Sequence, residues 1–140
     1  EADILHTLQL KGMFGENDPL KIIGAAKIKE LVWHEDAFAI GFNFGLFTSL
    51  VKLDMSVEKP GGYRNGSFMS STNALLLLEE LNMRNNLLAR NGDNGNVTTL
   101  DLSWQARLKS LDVQGTGITR LHRLYGYVCR IHWKNYSWSI

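Results

Sequence analysis

The chain has 140 residues, a net charge of +1, 44% hydrophobic residues and one cysteine. That length suits one domain, and the apolar content suits a globular rather than a disordered chain. Near-zero charge excludes a broad electrostatic footprint for nucleic acid, a single cysteine excludes an internal disulfide scaffold, and no apolar run approaches the ~20 residues of a membrane-spanning helix.

The chain opens Glu1-Ala2-Asp3, which reads as a chain whose leader has been removed or as a segment of a longer one. A six-residue word follows: Leu5-His-Thr-Leu8-Gln-Leu10, with an aliphatic, two variable residues, a leucine, one variable residue and an apolar residue. Its alternation predicts a short strand with one buried face. Asp18-Pro19-Leu20 reads as an N-cap with proline at the first helical position, opening a short helix through about Ala26. The word returns as Ile28-Lys-Glu-Leu31-Val-Trp33, where Trp33 is expected to face the core. Phe38, Phe42, Phe44 and Phe47 then supply core filling before Leu50-Val-Lys-Leu53-Asp-Met55.

Residues 58–66 are rich in turn formers and read as an insertion. Ser71-Thr72-Asn73 reads as the cap of a short helical turn over Ala74 to Leu77, leading into Leu78-Glu-Glu-Leu81-Asn-Met83. After a polar loop over Gly92-Asp-Asn-Gly95 come Val97-Thr-Thr-Leu100-Asp-Leu102 and Leu108-Lys-Ser-Leu111-Asp-Val113. Gly115-Thr-Gly117 reads as a turn, and Val128-Cys-Arg-Ile131-His-Trp133 as a weaker seventh word. Trp133, Tyr136 and Trp138 alternate in the last segment, which reads as a capping strand over 128–140 or an aromatic contact strip.

Successive words start 23, 22, 28, 19, 11 and 20 residues apart. One such strand buries too little to be stable; parallel stacking of several joins their leucines into one core. The 11-residue step is too short for a full turn of the chain and reads as a half-length excursion to the opposite flank or a tight hairpin. The segments Leu108 to Leu121 and Leu78 to Leu87, the latter with Asn86 at the turn, resemble the leucine-rich repeat family. The irregular steps look similar to divergent repeats of bacterial surface and bacteriophage proteins. The resemblance implies a single α/β-type repeat solenoid of six to seven right-handed coils, with a parallel β-ladder on one side and loops and short helical turns on the other. It also implies a cell-surface, secreted or virion setting.

In such a ladder the variable residues stand in rows ~4.8 Å apart on the face opposite the leucines. The partner-binding candidates on this concave face are Glu30, Lys52, Asp54, Glu80, Asn82, Arg84, Asp101 and Asp112. Clustered Asp54, Asp101 and Asp112 would suit calcium, but a solvated strand surface is the reading adopted, with no metal and no cofactor. The four histidines lack metal-ligand spacing, and no glycine-rich phosphate loop is present. Cys129 is expected at a variable or edge-facing position, and its spacing from His132 puts the two on opposite strand faces.

These readings add up to a non-catalytic module that binds a protein partner, with no nucleic acid and no membrane insertion. The alternatives are a structural or decoration module of a bacterial surface or phage particle, assembling through its ends, and a carbohydrate-binding module stacking sugars on Tyr63, Trp104 or Trp138.

Overall fold

The computed structural model describes residues 7–10, 24–33, 44–58, 62–65, 74–89, 98–122, 128–133 and 136–139. Within them it consists of parallel strands in sheets, with few helices. The strands are β1 (Thr7–Leu10), β2 (Glu30–Trp33), β3 (Lys52–Asp54), β4 (Gly62–Asn65), β5 (Glu80–Asn82) and β6 (Asn86–Ala89). They continue with β7 (Thr99–Asp101), β8 (Ser110–Asp112), β9 (Arg120–His122), β10 (Arg130–Trp133) and β11 (Tyr136–Ser139).

Seven strands share one sheet in the order β1-β2-β3-β5-β8-β10-β11. All its pairings are parallel except β10 with β11. The register never slips: Leu8, Leu31, Leu53, Leu81, Leu111 and Ile131 lie opposite one another across six strands. A slip of one residue would turn each leucine to water, so burial of one face fixes the register. Two further parallel pairs stand apart, β4 with β6 and β7 with β9.

One apolar cluster runs from Ala25 to Ile131 and takes in the word positions of β2, β3, β5, β7, β8 and β10. Leu50, Leu53 and Met55 are buried, as are Leu78, Leu81 and Met83, and Leu108, Leu111 and Val113. The word also extends upstream. Ala25, Phe47, Leu75 and Gln105 are each buried three residues before a word begins. Their carbonyls accept from Ile28, Leu50, Leu78 and Leu108 N–H at 3.0–3.3 Å. This i+3 bond closes a tight turn, which before β2 is the 3-10 element Ala25–Lys27; a second 3-10 element, Phe44–Leu46, lies just upstream of the turn at Phe47.

Four expectations need correction. Asp101 is not in the main sheet: its strand β7, which precedes the 11-residue step, pairs with β9 instead. The first apolar position of the seventh word is displaced by one residue: Val128 is 72% exposed and Cys129 is fully buried, while Ile131 keeps its register. Two-residue alternation through Cys129, Ile131 and Trp133 accounts for this. Cys129 is therefore not edge-facing; its thiol is buried and packed in the core. The turn-rich stretch after Glu58 holds a strand, β4. The helix opening at Asp18, the cap at residues 71–73, the loop at 92–95, and Phe38 and Phe42 lie outside the described residues, as do the side chains of Trp33 and Phe44.

Candidate functional site

Two polar rows cross the outer face of the main sheet. The first runs Thr7, Glu30, Lys52, Glu80, Ser110, Arg130 and Ser139. The second runs Gln9, Val32, Asp54, Asn82, Asp112, His132 and Ser137. Both follow from the alternation of the word: one face of each strand goes to leucine, the other to whatever stands between. Of the eight candidates, six share these rows: Glu30, Lys52, Asp54, Glu80, Asn82 and Asp112. Arg84 is exposed in the turn two residues beyond Asn82.

Across β2, β3 and β5 the first row alternates in charge. Lys52 Nζ lies 3.7 Å from Glu30 Oε1 and 3.8 Å from Glu80 Oε1. All three side chains are about half exposed, so each pair contributes no more than ~1 kcal/mol. The arrangement places one ammonium between two carboxylates and holds the row in a fixed charge order.

The second row has a structural duty that sequence reading missed. Asp54 Oδ1 accepts from Ser56 N–H at 3.0 Å and from Ser56 Oγ–H at 2.7 Å. Asn82 Oδ1 accepts from Arg84 N–H at 3.1 Å, and Asp112 Oδ1 from Gln114 N–H at 3.0 Å. Each residue thus bonds the backbone two positions on and turns the chain out of its strand. The signal was in the sequence: an Asp or Asn ends each of these strands and that of β7, twice with serine two residues later.

The turns are tied to one another behind the row. Asn86 is fully buried, and its Nδ2 donates to the Met55, Met83 and Arg84 carbonyls at 2.7, 2.9 and 3.3 Å. Thr116 occupies the equivalent place after β8, is also buried, and donates to Val113 O at 2.6 Å. Asn85 Nδ2 donates to Val57 O at 2.8 Å and to Glu58 O at 3.3 Å. Buried backbone carbonyls beyond the strand ends are satisfied in this way.

Between the rows the sheet forms a depression of about 370 Å³. Its described lining includes Glu30, Val32, Lys52, Asp54, Glu80, Asn82, Ser110, Asp112 and His132 over the leucine positions of β2, β3 and β5. Among the described residues no three His, Cys, Asp or Glu side chains converge as a metal site would require.

Asp101 forms a separate cluster on the β7–β9 pair. Its Oδ1 accepts a short hydrogen bond from Ser103 Oγ–H and one from Ser103 N–H at 2.9 Å. His122 Nδ1 lies 3.3 Å from the same oxygen and 3.2 Å from Ser103 Oγ. The Ser103 side chain first, then its backbone N–H, hold the Asp101 carboxyl below its ordinary value of 3.8, with the His122 charge adding to the effect. Serine and aspartate both meet the same ring nitrogen here. A nucleophilic relay needs them on opposite nitrogens, so this trio is a turn device rather than an activated serine.

Of the aromatic candidates, Trp133 is partly buried against the core. Tyr136 and Trp138 stand on β11, which pairs antiparallel with β10; their side chains, like that of Tyr63 on β4, lie outside the described residues. Trp104 is 55% exposed. It occupies the place four residues before a word, the place Leu46 and Ala74 hold in their own turns, and both of these are exposed too.

Comparison with known proteins finds no matching family model, no matching curated protein and no matching solved structure.

Proposed function

We propose that the chain is a short leucine-rich-repeat solenoid, without catalytic activity, that holds a protein partner against the polar face of its seven-stranded sheet. One observation carries this reading: equivalent positions of the word stand in register across β2, β3, β5, β8 and β10, and the rows border a depression. Rows of that kind suit recognition of an extended surface. The backbone beneath them is already fixed by ladder bonds, so a partner docks with little further loss of conformational freedom.

A structural or decoration module is the second reading, favoured by the exposed apolar side chains Leu46, Leu76, Leu77 and Trp104 on the turns that lead into β3, β5 and β8. Photocrosslinking separates the two. A photoreactive residue at Ser110 reports on the sheet face, and one at Ala106 on the outer turn. A discrete heterologous adduct from position 110, lost with Glu80→Lys, is the expected result in an extract of the source cells. Adducts from position 106 alone, or only between copies of the chain, would sink partner recognition by the sheet.

A further inference from the structure

Resting on that reading, we propose that the occupant of the depression is an extended segment of a partner protein bearing lysine or arginine side chains, seated across β3, β5 and β8. The first ground is charge. The described lining carries four carboxylates, Glu30, Asp54, Glu80 and Asp112, against one ammonium, Lys52, and the imidazole of His132. The chain as a whole has a net charge of +1. The depression is therefore opposite in sign to the molecule that contains it, and the apolar core beneath the sheet is a low-dielectric floor that concentrates its field.

The second ground is Asn82. It stands between Asp54 and Asp112 in the same row and makes the same turn bond with no charge. The turn needs an acceptor oxygen, and an amide supplies one as well as a carboxylate does. The turn bond alone therefore does not call for a charge at Asp54 or Asp112. These two positions sit two strands apart, roughly 9.6 Å at the usual strand spacing. Two cationic side chains of one extended segment span that gap, and opposite charge across an interface sets both encounter rate and register.

The test uses the full chain and fluorescence anisotropy of a labelled peptide of alternating lysine and alanine. Peptides alternating glutamate or serine with alanine serve as controls. D54N/D112N removes two charges and keeps both turn acceptors, as Asn82 does. E58Q/E79Q removes two charges outside the described lining. The lysine peptide alone is expected to bind, more weakly as salt rises, with affinity at least tenfold lower in D54N/D112N and less than twofold lower in E58Q/E79Q. If D54N/D112N does not fold, E30Q/E80Q carries the same expectation. The proposal is overturned by absent binding of the lysine peptide, by equal weakening in the two double variants, or by equal or tighter binding of a control peptide. That last result leaves recognition on the sheet face standing, whereas crosslinks confined to the outer turns remove it whatever the peptides do.

Discussion

At the scale of single residues, the turns after β5 and β8 carry more of the structure than their exposure suggests. Truncating Asn86 to alanine removes side-chain bonds to the Met55, Met83 and Arg84 carbonyls, of which the last two keep backbone donors in Asn86 N–H and Val57 N–H. An expected loss of about 1–3 kcal/mol in urea unfolding follows from the lost buried hydrogen bonds. The glycines differ in kind. Gly24 has φ 82 with open space around it, so Gly24→Ala meets only left-handed backbone strain, ~1–2 kcal/mol. Gly115 has φ 69, and a Cβ there would lie 2.5 Å from Asn85 Oδ1 and 3.2 Å from Asn85 Cα. That asparagine is pinned by two carbonyls and cannot simply move aside. Gly115→Ala is therefore expected to lose more than Gly24→Ala, about 2–4 kcal/mol, when the two are compared by chemical denaturation. Asn86 was legible as a turn residue. The need for glycine at position 115 was not, because it comes from the approach of Asn85, which belongs to the preceding turn of the ladder.

For the elements, the word was a sound guide to strands and to most of their partners, with β7 the exception. The buried positions of β2, β3, β5 and β8 were readable from sequence, since alternation and a leucine every few residues specify a half-buried strand locally. Which sheet accepts a strand is decided by pairing across the chain. Val97 to Leu102 has the full pattern, yet β7 pairs with β9 and Asp101 stands away from Asp54 and Asp112. The upstream turn was expected over Ala74 to Leu77 but not as a repeated feature, because Ala25, Phe47, Leu75 and Gln105 share a position but no side-chain type. The β7–β9 pair also carries a pH dependence. Asp101 is held below its ordinary value in the folded state, so it adds stability at neutral pH that is lost as pH falls from about 5 through that lowered value. Wild type is expected to lose Tm more steeply than Asp101→Asn between about pH 5 and pH 2 in a thermal scan. The effect is small because both partners are more than half exposed.

Across the whole molecule, each strand of the main sheet is hydrogen-bonded only to its immediate neighbours in the order β1-β2-β3-β5-β8-β10-β11. Stability in the proposed solenoid is then a sum of local and nearest-neighbour contributions. Leu111 is fully buried on β8, and Leu111→Ala is expected to cost ~2–5 kcal/mol. Hydrogen exchange is expected to show amide protection falling in β5, β8 and β10 well before β2. Uniform loss across all strands would instead indicate a single all-or-none unit. The seven-stranded order itself was largely readable from the words, while the two side pairs were not, since nothing in β4 or β6 repeats the word.

The sole thiol of the chain belongs to this last point. Cys129 has no exposure to solvent, and it sits where the β8–β10 end of the apolar cluster closes. An aromatic disulfide reagent can reach its sulfur only when that end opens. The rate of colour development in native buffer is therefore a direct clock for fraying at one terminus of the ladder, read without any introduced label.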